Sequence, residues 1–318
     1  MARDPSYDIL FEPVKIGPVT APNRFFQVPH CNTLGYGRPR AEAANRGIKA
    51  EGGWGVVCTQ EAEIHPSADI TPSFEGRIWD DQDIPQHRLM TDAVHEHGAL
   101  AGIELVYNGS HTPNLYSRIA PMSASAIPVH TDLPIQARAM TKRDIADLRR
   151  WHVEAARRSR QAGYDIVYVY AGHNLSLLQH FFKKQYNQRS DEYGGSLENR
   201  VRLTKEVLTD VKEAVGHDCA VAFRFATDEL MGPDGLQWES EGRDIVGMLA
   251  EIPDLWDVNI SDWANDSATA RFEPNEGFQE PYTAFVKTLT SKPVVGVGRF
   301  TSADAMVSQI KRGVLDLI

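Results

Sequence analysis

The sequence predicts a single α/β barrel of eight parallel strands. Three observations carry that prediction: short β-branched runs recur eight times, longer amphipathic stretches separate them, and the alternation holds from residue 24 to residue 318. The strand runs lie at 24–27, 55–59, 100–105, 165–170, 220–225, 256–260, 293–298 and 314–318, each short enough for a strand. Helical periodicity occupies 41–51, 84–97, 142–163, 197–215, 239–251, 282–290 and 302–312. Thr141 and Thr301 stand where N-caps belong, and Ser196 precedes the helix that Leu197 opens. Gly194 and Gly195 supply positive φ for the turn before it. The eighth strand run ends at Ile318, so a closing helix and one wall of the usual phosphate site fall outside the 318 residues. This predicts one TIM-type barrel domain, 1–318, truncated at the eighth strand and belonging to a longer chain.

Composition narrows the class. With 42% hydrophobic residues the chain is able to bury one large core, and a formal net charge of -10 argues against nucleic acid or an anionic membrane as partner. No apolar run reaches the roughly 18 residues of a membrane span, and residues 1–5 lack the apolar stretch of a secretory signal, so a cytoplasmic protein is expected. Cys31, Cys58 and Cys219 are too widely spaced for a disulfide framework or a zinc ribbon.

In a barrel the chemistry sits where strands end at the C-terminal face, which singles out a few residues. Cys31 follows strand one, with His30 beside it. Tyr170 and His173 end strand four, where a phenol next to an imidazole makes a tunable acid or base. Glu104 and Arg224 are charges inside apolar strands, and burial obliges them to pair with each other or with a ligand. Gly298 and Arg299 after strand seven suit close backbone approach to a phosphate.

The run Asn187-x-Arg189-x-Asp191-x-Tyr193-Gly194-Gly195-Ser196-Leu197-Glu198-Asn199-Arg200 resembles the fingerprint of the old yellow enzyme family, flavin-dependent barrels. Its own residues read as turn, cap and helix start rather than as chemistry. Asp8–Pro13 and Gln27-Val28-Pro29-His30-Cys31 are similar to the amine dehydrogenase branch of that family, the trimethylamine, dimethylamine and histamine dehydrogenases. The resemblance runs from Asp8 to Ile318.

That resemblance implies FMN bonded through the sulfur of Cys31, flanked by Pro29 and His30. It implies Glu104 at the flavin's pyrimidine edge, Arg224 near N1 and O2, and Gly298 with Arg299 at the phosphate. It implies a triad of Tyr170, His173 and Asp266, with Asp262 as the partner if the local gap lies elsewhere. Here Ala171-Gly172-His173 departs from the family's Gly-Ala-His. Substrate contacts are expected from Glu61, where the family leads one to expect tyrosine, from Tyr107 and Trp263, and from His111. The implied activity is oxidative N-demethylation of a small secondary or tertiary amine, with dimethylamine favoured because a carboxylate at 61 reads an N–H. Histamine oxidation, an NAD(P)H-dependent ene reduction and a flavin-free, non-catalytic barrel stay open. The family also implies a homodimer, a four-iron, four-sulfur cluster and nucleotide-binding domains in a C-terminal extension, and an electron-transfer flavoprotein as acceptor. The three cysteines present do not make such a cluster site.

Overall fold

The structure, a computed structural model, describes residues 4–68, 75–129, 134–264 and 275–318. Seven parallel strands form the wall: β1 (Phe26–Gln27), β2 (Val56–Glu63), β3 (Leu100–Val106), β4 (Ile166–Ala171), β5 (Ala220–Asp228), β6 (Leu255–Ile260) and β7 (Val294–Gly296). Each pairs with the next in chain order, which is the right-handed strand–helix–strand repeat closed on itself. The predicted eighth strand is reduced to one bridge, Val295 with Leu317. It nevertheless closes the ring: Leu317 N–H donates to Val294 O, Phe26 N–H to Ile318 O at 2.7 Å, and Ile318 N–H to Arg24 O at 2.9 Å.

Helices α1 (Pro39–Glu51), α2 (Ile84–His95), α3 (Lys142–Ala162), α4 (Leu197–Val215), α5 (Arg243–Leu249), α6 (Glu280–Thr283) and α7 (Ala303–Lys311) cover the outside. Their apolar stripes meet the outward side chains of the strands in one large cluster. A second, smaller cluster fills the barrel interior. Phe26, Tyr168, Val295 and Leu317 are plugged there by Ile16 and Ala21 from the antiparallel hairpin Val14–Ile16 and Val19–Ala21. The plug closes one end of the barrel and leaves the C-terminal strand ends as the open face.

Several expectations change in detail. The stretch 239–251 opens with a π turn, Trp238–Gly242, before α5, and 282–290 is α6 followed by a 3-10 turn, Ala284–Thr288. Thr141 caps α3 with a capping box, but α7 is capped by Ser302 rather than Thr301, whose hydroxyl bonds Glu276 instead. Of the two glycines only Gly195 has positive φ, +82°. Gly194 is required for a different reason, since a Cβ there would collide with the Arg189 carbonyl. Strands β2 and β5 also run longer than periodicity predicts, because Thr59, Gln60, Glu61 and Glu63 on β2 and Thr227 and Asp228 on β5 are polar yet buried. Buried polar residues at strand ends mark the functional face.

The 187–200 run is a structural clamp. Asn187 Nδ2 donates to the carbonyls of Phe181 and Tyr193, both at 2.8 Å. Arg189 forks onto Asp191, and Arg200, fully buried, donates to Phe182 O, to Gly195 O and to both oxygens of Glu241. The clamp fixes the long loop after β4 to the first turn of α4. Replacing Arg200 with Ala orphans the Phe182 carbonyl, and urea unfolding is expected to show a loss of about 1–3 kcal/mol, larger than the loss for Glu241→Gln, which keeps an acceptor.

Candidate active site

The loop after β1 is built on Arg46, which sequence reading passed over. Arg46 lies on the inward face of α1 with no exposed surface; it donates to Glu42 at 2.7 Å, to Gln27 Oε1 at 3.0 Å, to Gln60 Oε1 at 3.2 Å and to the His30 carbonyl at 2.9 Å. One guanidinium thus ties β1, β2 and the Cys31 loop together, and the i, i+4 pair with Glu42 was its only signal in the sequence. Pro29 is buried, whereas His30 and Cys31 are exposed. Desolvation and then the Arg46 guanidinium hold the His30 imidazole at a pKa of about 4, so it is neutral at pH 7, with Nδ1 facing Gln27 and Arg46. Burial and the nearby Glu61 raise the Cys31 thiol above its ordinary value. Cys58 and Cys219 are core thiols, both within 2% of full burial, and Cys219 Sγ donates to Tyr164 O.

At the barrel centre a charge cluster spans three strands. Arg224 Nη1 lies 3.2 Å from each oxygen of Glu104, and Arg224 Nε lies 3.7 Å from Asp257, its register partner on β6. The predicted pairing of Glu104 with Arg224 is present, and Asp257 joins it as a member the sequence did not reveal. Burial raises Asp257 to about 7 against the pull of Arg224, and raises Glu104 as well. The guanidinium also sits 5.6 Å from the centroid of the Tyr170 ring, a cation–π contact.

The Tyr170 hydroxyl is 2.7 Å from His173 Nδ1. Burial first, and Arg224 second, lower His173 to about 3, so the imidazole is neutral and its Nδ1 lone pair is able to accept a hydrogen bond from the phenol. His173 and Asn174 both adopt positive φ, +54° and +59°, a strained pair. What holds them is a buried network: Asn174 N–H donates to Gln179 Oε1 at 2.7 Å, and Lys183 Nζ bridges Asn174 Oδ1 and Glu229. Gly172 is needed where it stands because a Cβ there would lie 2.9 Å from the Tyr170 ring. The departure from Gly-Ala-His therefore goes with the phenol folding back over its own strand end.

The third triad candidate, Asp266, lies outside the described residues. Asp262 bridges to His173 through the backbone, but its Oδ1 accepts the Ala264 N–H at 2.9 Å. Trp263 donates its N–H to His173 O and is 56% exposed, standing at the rim beside the Tyr170–His173 pair. Glu61 is on β2 and buried rather than in a solvated loop, with Asn108 Nδ2 reaching its Oε2 at 3.4 Å. Tyr107 does not join these residues. Its ring stacks on Trp151 of α3 and its hydroxyl bonds Ser67, so it belongs to the layer between β3 and the helices, and the expected substrate contact is corrected. The reason is strand alternation: the residue after the end of β3 turns its side chain outward. His111 lies on the turn Gly109–His111 beyond it.

Beyond β7, Gly298 packs where a Cβ would lie 2.8 Å from Gly277 Cα, and Arg299 has positive φ, +54°. Both border a cavity of about 620 Å³ that also reaches Gln27 and His30. The buried polar atoms without partners include Arg224 Nε, both amide atoms of Asn259, Ser261 Oγ and Asn108 Oδ1. These lie on or just past β3, β5 and β6, and they offer donors and acceptors side by side. Such a set fits a planar group with alternating polar edges, as a flavin ring has.

Comparison with known proteins agrees with this geometry. The chain is 42% identical over 327 aligned residues to dimethylamine dehydrogenase of Hyphomicrobium sp. (strain x), covering 100% of this chain and 44% of that protein. The solved structure of 6-hydroxypseudooxynicotine amine oxidase from Pseudomonas geniculata N1 is similar with a TM-score of 0.97 and 54% identity, over 100% of this chain and 47% of that one. Histamine dehydrogenase from Rhizobium sp. 4-9 gives a TM-score of 0.94 and 52% identity, over 98% and 45%. The chain spans about half the length of these relatives. The resemblance to old yellow enzymes and their amine dehydrogenase branch is borne out. Residues 9–318 match a single family from end to end, and the chain belongs to the NADH:flavin oxidoreductase / NADH oxidase family.

Proposed function

We propose that this barrel is the catalytic part of an FMN-dependent amine dehydrogenase, oxidising a C–H bond next to nitrogen in a small amine. The amine gives up two electrons and a proton, and water then hydrolyses the iminium product to an amine and an aldehyde. FMN, when bound, supplies the two-electron acceptor. Arg224 and Glu104 would hold its pyrimidine edge, and Gly298 and Arg299 its phosphate. Cys31 would be bonded to its ring, between Pro29 and the loop fixed by Arg46.

The observation that carries the reading is the Tyr170–His173 pair, 2.7 Å apart, with a neutral imidazole and a guanidinium beneath the phenol ring. The imidazole accepts the phenol's hydrogen bond and so orients the Tyr170 oxygen, whose lone pairs are able to accept a hydrogen bond from the bound ammonium; loss of that nitrogen's proton to solvent frees the lone pair that drives C–H cleavage. Asp266 is proposed as the third member, and Trp263 as the aromatic wall at the rim. Glu61 supports a substrate that offers an N–H, for which dimethylamine is the favoured candidate. The same reading has the protein acting in the cytoplasm as a homodimer and passing electrons to an electron-transfer flavoprotein. No described helix is long and apolar enough to cross a membrane.

Anaerobic addition of dimethylamine to the flavin-loaded protein is expected to bleach the flavin band; no bleaching by it or by any other small amine would refute the activity. Acid precipitation is expected to leave the protein yellow and the supernatant colourless, and Cys31→Ala to release free FMN. All the flavin in the supernatant of the unmutated protein would exclude the covalent bond. Tyr170→Phe is expected to slow flavin reduction by about tenfold or more and to remove one ionisation from its pH profile while leaving the flavin spectrum in place. An unchanged profile would remove Tyr170 from the proton chemistry.

A further inference from the structure

His173 keeps its place beside the phenol only while its surroundings enforce a backbone that side chains disfavour, since both it and Asn174 lie in the left-handed region. Much of that enforcement comes from Glu229, the first residue after β5, which has no exposed surface. Its Oε1 accepts from Gln179 Nε2 at 2.7 Å and from Lys183 Nζ at 3.0 Å, and its Oε2 accepts from the Leu236 N–H at 2.7 Å. Gln179 passes the constraint on, because its Oε1 accepts the Asn174 N–H at 2.7 Å, and Lys183 Nζ reaches Asn174 Oδ1 at 3.3 Å. The Glu229 main chain acts in parallel. Its carbonyl accepts the Asp262 N–H at 3.0 Å, Asp262 pairs with His173 in a one-residue bridge, and the Trp263 N–H donates to His173 O at 2.8 Å. One residue after β5 thus governs the segments after β4 and after β6, on both sides of the imidazole.

Stability alone does not account for this arrangement. The side chains of Lys183 and Glu229 are 4% and 0% exposed, and a buried ion pair gains little over an apolar pair of similar volume, because desolvation offsets the attraction. What the charges add is direction. Three donors on one carboxylate leave it a single orientation, and that carboxylate in turn holds Gln179 by its amide nitrogen. The Gln179 oxygen is therefore turned toward the Asn174 N–H, and an amide flip would set donor against donor. An apolar side chain at 229 would fill the space without choosing that orientation.

We infer that Lys183 and Glu229 are positioning residues for the amine oxidation: through Gln179 and Asn174 they set the backbone of His173, and with it the hydrogen bond that orients the Tyr170 oxygen. The inference rests on the amine dehydrogenase reading and deepens it. The loop after β5 takes part in the site through this chain of hydrogen bonds.

The test uses the double variant Lys183→Met/Glu229→Gln of the FMN-loaded protein, because either change alone strands a buried charge. The melting temperature is expected to stay within a few degrees of the parent's, while flavin reduction at saturating dimethylamine slows about tenfold. On a Tyr170→Phe background the same two changes are expected to cost less than about twofold, the shortfall that marks an effect exerted through the Tyr170–His173 bond. Long-range proton–nitrogen NMR gives a readout independent of turnover: the His173 Nδ1 resonance, that of a nitrogen accepting a hydrogen bond, is expected to move toward that of an unbonded one. If the double variant does not fold, Gln179→Met, which strands no charge, carries the same expectations. An unmoved rate, an unmoved resonance or an equal loss on the Tyr170→Phe background overturns the inference and leaves the amine dehydrogenase reading standing. If no small amine bleaches the flavin of the unmutated protein, that reading fails, and the resonance alone decides whether the pair positions His173: a shift retains it and no shift overturns it.

Discussion

Arg224 is the charge on which the open face of this barrel depends. It enters from the middle of a strand, bonds Glu104 on one side, faces Asp257 on the other and lies against the Tyr170 ring. A buried guanidinium with this many neighbours has one place to be, and it fixes theirs. After burial, its positive charge adds to what keeps His173 neutral, and it favours the ionised forms of Glu104 and Asp257 against burial. The electrostatics of His173, Glu104, Asp257 and Glu61 are therefore coupled through one side chain.

Around that charge the fold separates stability from chemistry. The outer cluster between strands and helices and the plug of Ile16, Ala21 and Phe26 are apolar and hold the barrel. The polar residues gather at strand ends on the side opposite the plug, where strained backbone at His173 and Asn174 is held by the Lys183–Glu229 network. Arg46 and Arg200 act alike in different places. Each is a buried guanidinium that collects carbonyls and a carboxylate, so that a loop is pinned without adding to the apolar core.

Glu61 shows how burial changes the meaning of a residue. In a solvated loop it would be an ordinary carboxylate. On β2, between two other glutamates, burial first and the Glu104 carboxylate next raise it to about 8. Tyr107 shows the reverse: an aromatic at the end of a strand looks like a substrate contact, yet alternation turns it outward onto Trp151.

The sequence by itself determined the strand and helix order, the family, and the residues that local pattern exposes: Cys31 after strand one, Tyr170 and His173 after strand four, and the charges Glu104 and Arg224 within apolar runs. These were legible because each contrasts with its immediate neighbours. Thr59 to Glu63 were not legible as strand, since polar side chains break the apolar run that periodicity follows. Only the tertiary structure decided that Asp257 faces Arg224, that Arg46 organises the Cys31 loop, that Tyr107 leaves the site, and that Glu75, Glu61 and Glu104 form one row. Those facts depend on register between strands that are distant in the chain, and register is set by closure of the whole barrel rather than by any local propensity.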